Sequence, residues 1–214
     1  MKLRVCAGST VFTVIVAASR AGAEPSAVPD QVAPTRESAE APESNWTVPT
    51  VHALGVMTGM RIGEAIIWPE PFADLDPDRI GKSYEYAYTH APRWDSDRDF
   101  FEWDGDPWAV NAIGHALFGS ELYLRARTCH NGPLPALAFT ALGSVLWEYG
   151  FEANGAQPSA LDLVYTPAAG IAFGELRYLG WQAASRLGHR TWRGVLKTVL
   201  DPLGEFERAL GTVC

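Results

Sequence analysis

The chain has 214 residues, 20% charged and 47% hydrophobic, with 17 basic and 25 acidic residues and a formal net charge of -8. That length suits a single domain with a tail, the apolar content excludes a wholly disordered chain, and a mean hydropathy of -0.05 excludes a polytopic membrane protein. The acidic balance argues against nucleic acid as a partner. No Walker A, GxGxxG, HExxH, paired CxxC or GxSxG motif occurs, so no cofactor is expected.

The N-terminus reads as an address. Lys2 and Arg4 precede a run at 5–18 made only of small or apolar side chains, and Ala21-Gly22-Ala23 supplies the small residues a signal peptidase needs. Residues 1–23 are therefore expected to be a cleaved secretory signal. The protein is then exported to the periplasm or an envelope membrane and is not cytoplasmic. Cleavage leaves 14 bases against 25 acids, and only Lys82 and Lys197 among those bases are lysines. Arginine is the cation that tolerates burial beside carboxylates. Cys129 and Cys214 remain, a candidate pair in an oxidising compartment, although two cysteines fix no geometry.

Residues 24–49 hold five prolines and few large apolar side chains, and read as a disordered tether. A single helical domain at 50–214 follows. Thr50 caps a helix to about residue 68, on which Gly55, Gly59 and Gly63 recur every four residues. Such a stripe predicts very close backbone packing against another helix, and Gly170-x-x-x-Gly174 repeats it. Residues 69–108, rich in proline and aromatic rings, are expected to form a long irregular wrap. Tyr84, Tyr86 and Tyr88 alternate there as in an extended segment. Helices are predicted over 108–127, 134–153 and 159–187, with a last one restarting at Asp201-Pro202. The second of these, apolar nearly all round, is expected to be the central buried helix. Ser159 and Asp162 carry a capping-box pattern. The fold class is mainly α: a compact bundle of four to five apolar helices with an irregular aromatic-rich wrap.

The residues that need explaining are Asn111, His115, Arg125, Arg127, Glu148, Glu152, Asp162 and Glu175, each on or at the end of an apolar helix. Asn111 and His115, four apart, make either a buried hydrogen bond or a site that positions a proton or a metal ion. Glu148 and Glu152, also four apart, repel each other and require an arginine, a shared proton or a metal. Arg125, Arg127 and Arg177 are the candidate partners, with Arg127 favoured. Glu121 and Arg125 form an ordinary surface pair, and Asp162 is the capping acid. Glu175, in apolar surroundings, is expected to be buried with a raised pKa. Six acids at 95–106 begin like a calcium loop. Phe100 at the sixth position and Asp106 at the twelfth break that pattern, which leaves a solvated acidic loop.

Two stretches resemble an uncharacterised exported bacterial family, domain of unknown function 3943. They are Asn111-x3-His115 with Tyr123-x-Arg125-x-Arg127, and Trp147-Glu148 with Asp162-Leu163 and Gly174-Glu175. The resemblance spans about residues 95–180. It implies the domain boundaries and the polar set, and it implies no reaction.

Three functions compete. The favoured one is a membrane-associated structural or binding domain of the cell envelope, held by glycine packing and buried Arg–Glu pairs, with membrane lipid or an envelope protein as partner. The second is an envelope hydrolase using His115 with Glu148, Glu152 or Glu175 as acid, base or metal ligand. The third is a glycan-binding module using the aromatic wrap. Whether the protein is an enzyme is left open. The distance from His115 to the three glutamates separates the first two.

Overall fold

The computed structural model describes residues 43–212 and Cys214. The secretory signal expected at 1–23, and the tether expected from 24 as far as residue 42, lie outside them. Among the described residues there are eight α-helices and no strand. The fold is mainly α, as the apolar periodicity predicts.

Helix α1 (Thr47–Ile67) begins three residues before Thr50. Asn45 supplies the acceptor: its Oδ1 takes the N–H of Thr47 at 2.9 Å and of Val48 at 3.3 Å. Asn45 itself is fixed by Cys129, whose carbonyl accepts its N–H at 3.1 Å.

The aromatic stretch is more regular than its prolines suggest. After a short turn of helix, α2 (Pro69–Phe72), comes α3 (Pro77–Thr89). Asp76 caps α3 by accepting the N–H of Asp78 at 2.9 Å, and Pro77 occupies its first turn. The extended reading of Tyr84, Tyr86 and Tyr88 is corrected. Tyr84 and Tyr88 are one turn apart, with stacked rings at 6.4 Å, and donate to the carbonyls of Gly150 and Tyr149. A start signal of Asp-Pro outweighs three alternating rings. The irregular wrap survives over 90–107, interrupted by one 3-10 turn at Phe100–Glu102.

The centre of the bundle is α4 (Ala116–Thr128), on which Leu122, Tyr123, Leu124 and Ala126 are wholly buried. It is entered through a π-helical segment, Val110–His115. The expectation that the more apolar helix lies at the centre is corrected. Helix α5 (Pro133–Leu146) exposes Leu134, Leu142 and Val145. It also ends in a π segment, Trp147–Phe151, where Glu152 N–H reaches the Trp147 carbonyl at 2.9 Å. Helix α6 (Ala160–Ser185) runs through Pro167, and α7 (Arg190–Leu200) and α8 (Pro202–Ala209) close the chain. Asp201 caps α8 by accepting Gly204 N–H at 3.0 Å, the restart expected there.

Ala53, Met57, Phe118, Leu122 and Trp147 form the main core between α1, α4 and the end of α5. Glycine permits the crossing of α4 and α6. A Cβ on Gly170 would lie 2.9 Å from the Gly119 carbonyl oxygen, and one on Gly174 would lie 2.8 Å from Tyr123 Cβ. The stripe on α1 does the opposite of what its spacing predicts. Added Cβ atoms at Gly55, Gly59 and Gly63 would meet no heavy atom within 4 Å. Small residues permit a close neighbour but do not supply one, and α1 buries Pro49, His52, Ala53 and Met57 instead. Cys129, after α4, forms a disulfide with Cys214. No helix among the described residues is long and apolar enough to cross a membrane.

Candidate functional site

Both π segments and the N-terminus of α6 converge on one buried cluster. In a π-helix the i→i+4 ladder is locally broken, a feature concentrated at functional sites. The first segment carries Asn111 and His115, and the second carries Glu148 with Glu152 as its cap. Helix α6 contributes Ser159, Asp162 and Thr166. His115, Glu148 and Asp162 are 4%, 2% and 1% exposed. One ligand atom of each lies within 4.8 Å of the other two.

The hydrogen bonds show how the set is held. Asp162 N–H donates to Ser159 Oγ at 3.1 Å, the forward arm of a capping box. The return arm comes from elsewhere: Ser159 N–H donates to Glu148 Oε2 at 2.7 Å. The capping role expected of the Asp162 side chain thus belongs to Glu148. Asp162 Oδ1 turns instead toward His115 Nδ1, at 3.6 Å, and has no hydrogen-bond partner among the described residues. The other Glu148 oxygen, Oε1, also has none. His115 Nδ1 lies 3.0 Å from Thr166 Oγ1. Asn111 is not bonded to His115. Its amide donates to Asp104 Oδ1 at 2.7 Å and to the Phe101 carbonyl at 2.9 Å.

Asp104, expected in a solvated loop, is instead buried: it is 5% exposed and accepts from Ser159 Oγ at 2.6 Å and Asp106 N–H at 2.9 Å. The segment around it is anchored where Arg93 N–H donates to the Pro158 carbonyl and Ala160 N–H to the Arg93 carbonyl. Gly105, at φ +96°, turns the chain over the Arg93 guanidinium, 2.8 Å from where a Cβ would sit. The local signal for Asp104 was the run Asp104-Gly-Asp-Pro just before a helix, a turn motif that places an acid over a helix start.

Removing these groups from water sets the electrostatics. Burial pushes Asp162 up to about 9, helped by the Glu148 charge and a hydrogen bond to Asp104. Burial likewise raises Glu148, against the Ser159 N–H, and raises Glu152 far above the usual carboxylate range with the Glu148 charge adding to it. Glu64 rises to about 7 and Asp106 to about 6, both through burial. Burial would raise Asp104 too, but bonds from Ser159, Asp106 N–H, Asp162 and Asn111 outweigh it and hold that carboxyl low. Burial lowers His115 to about 4, so its imidazole is neutral and free to act as an acceptor or ligand.

The arginines are elsewhere. Arg127 pairs with Glu175 at 2.8 Å, and Tyr123 Oη donates to the same carboxylate. Those bonds hold Glu175 below the usual range, which corrects the raised pKa expected for it, and Glu175 is only half-buried. Arg125 lies 3.2 Å from Asp201, 3.4 Å from Glu207 and 3.7 Å from Glu121. Arg177 meets Glu121 at 2.7 Å, and His52 joins Glu121 and Glu207. The Glu121–Arg125 pair is therefore buried, not on the surface. None of Arg125, Arg127 and Arg177 forms an ion pair with Glu148 or Glu152. Of the residues singled out in the sequence, Asn111, His115, Glu148, Glu152 and Asp162 come together. Arg125, Arg127 and Glu175 do not join them.

No curated protein and no solved structure matches the chain. Residues 100–203, from the 3-10 turn into α8, match the family model described as Domain of unknown function (DUF3943), and this match carries the resemblance seen in the motifs.

Proposed function

We propose that the chain is an exported cell-envelope metalloprotein whose His115, Glu148 and Asp162 hold one divalent cation, and that this centre serves a hydrolytic reaction. One observation carries the reading: three buried ligand atoms of metal-binding type lie within 4.8 Å of one another, with Glu148 Oε1 and Asp162 Oδ1 unpartnered. No arginine pairs with these two acids, so in the metal-free protein burial favours their protonated forms. A divalent cation offsets both carboxylates at once. Imidazole with two carboxylates suits zinc or manganese, and three protein ligands leave positions for water and substrate. Asp104, hydrogen-bonded to Ser159 and Asn111, stands behind the set as a deprotonated neighbour able to orient a proton donor.

Export is supported by the secretory pattern at 1–23 and by the disulfide between Cys129 and Cys214. Association with a membrane surface is supported by α7. It exposes Trp192, Val195 and Val199 and also carries Arg190, Arg193 and Lys197, the composition of a helix lying in a lipid interface.

The test is metal content. The protein purified without chelator is expected to carry about one zinc or manganese ion per chain. Chelation should lower its melting temperature, and an ion at 100 times its Kd should restore about 2.7 kcal/mol. His115→Ala should abolish both effects. A metal-free protein that binds neither ion in calorimetry would overturn the proposal and leave a core of carboxyls that share protons.

A further inference from the structure

A cavity of about 160 Å³ lies beside this cluster, lined by Glu64, Glu70, Asp106 and Glu152 together with Trp68 and Phe72. No basic side chain lines it. Its size suits a small polar group rather than a folded peptide. Glu152 reaches into it from the end of the second π segment while remaining 8% exposed. Its carboxylate has neither a hydrogen bond nor an ion pair among the described residues. Glu64 Oε2 is buried and equally unpartnered. Arg61 and Arg93 act on the Glu64 and Asp106 charges from outside the lining, but neither forms an ion pair with them: Arg61 donates to the Phe72 carbonyl and sits 5.0 Å over the Phe72 ring.

We propose that this cavity binds the primary ammonium group of a small aminoalkyl ligand. The acidic and aromatic parts of the lining recognise such a group, beside Pro71, Pro107 and Val110. Carboxylates accept its three N–H donors as charge-assisted hydrogen bonds, which a quaternary ammonium cannot offer. An aromatic ring such as Trp68 attracts a cation that reaches its π-face, an interaction that strengthens when both partners leave water. A cation also relieves the mutual repulsion of four acids crowded in one pocket. A divalent ion does not account for the aromatic walls, and these residues do not form a three-ligand cluster of metal-binding geometry among the described residues. The site goes beyond the His115 centre and does not depend on its holding metal. The aminoalkyl group is either a free amine or the headgroup of an aminophospholipid.

The probe is ethanolamine, titrated into the full exported chain in the presence of EDTA and followed by NMR of the tryptophan indoles. Saturable shifts of the Trp68 indole are expected, with 1-propanol and tetramethylammonium at least tenfold weaker. Glu152→Gln, which keeps size but cannot ionise to meet a cation, should weaken ethanolamine at least tenfold. Trp68→Leu, at a half-exposed ring, should weaken it several-fold without loss of the fold. Equal binding to the wild type and Glu152→Gln, equal binding of tetramethylammonium, or no saturation would overturn the proposal. Sedimentation with phosphatidylethanolamine–phosphatidylcholine vesicles against phosphatidylcholine alone identifies the source. Glu152-dependent enrichment on the former assigns a lipid headgroup, and equal retention alongside ethanolamine binding assigns a soluble amine. Because EDTA is present throughout, failure of the metal reading leaves this result unchanged.

Discussion

The N–H of Ser159 at the head of α6 is closed by Glu148 Oε2, 2.7 Å away at the end of α5. A capping box is ordinarily local, with both arms within one turn. Here one arm is tertiary. It ties two helix ends together, and it leaves Asp162 facing His115 instead of its own backbone. This one substitution of partner turns a helix cap into a candidate site.

That relationship predicts how Glu148→Gln behaves. The amide still accepts the Ser159 N–H and no arginine is left unpaired. The metal-free variant should lose no more than about 1 kcal/mol, against the roughly 3–5 kcal/mol that breaking a buried ion pair costs. Stabilisation by added zinc or manganese should disappear. Melting curves with and without chelator measure both effects, and a large loss in the chelated protein would contradict the account.

Two glycine substitutions should go in opposite directions. Gly59→Ala adds a methyl to an open helix face and should stabilise by about 0.5–1 kcal/mol through helix propensity. Gly170→Ala drives the same methyl into Thr140 and the Gly119 carbonyl and should cost about 1–3 kcal/mol. Denaturant midpoints of the two variants decide the matter.

Gly105→Ala tests the loop that delivers Asp104. A φ of +96° disfavours any side chain, and the Cβ would meet the Arg93 guanidinium. The cost should be about 1–3 kcal/mol. Metal affinity should fall with it, because Asp104 and its bonds to Ser159 and Asn111 depend on that turn.

Acid stability should be governed by Glu121. Burial would raise its pKa, but His52 and Arg177 outweigh this and lower it from 4.5 to about 2. A lowered carboxylate stabilises the fold above its unfolded value. That contribution is complete above about pH 4.5 and is lost as pH falls toward 2. Glu121→Gln should therefore flatten the pH dependence between those limits. It should also cost about 3–5 kcal/mol at neutral pH by stranding Arg177. Urea unfolding from pH 2 to 7 reads both.

Reduction should loosen the C-terminal helices. The Cys129–Cys214 bond closes a loop of 85 residues, and opening it should cost about 2–5 kcal/mol. A melting temperature insensitive to thiol reductant would contradict this.

Local chemistry determined a good deal of this molecule. Ser159 as a cap, the restart at Asp201-Pro202, the helical class and the inward-facing polar residues Asn111, His115, Glu148, Glu152 and Asp162 all follow from patterns within a few residues of each position. Partnership did not. Glu148 and Glu152 showed that something must offset them, but the choice among arginine, proton and metal depends on which helix ends meet. That was set by distant contacts: the Gly119–Gly170 crossing, the two π segments and the Arg93–Ser159 bridge. The same limit explains the α1 glycines, whose spacing permits a close neighbour that the fold places elsewhere. It also explains Asp104, which only the turn at Gly105 distinguishes from the solvated acids around it. Sequence periodicity and capping signals fix which segments are helical, and the tertiary structure alone decides which of their residues leave water and meet, because burial and pairing depend on distances between segments far apart in the chain.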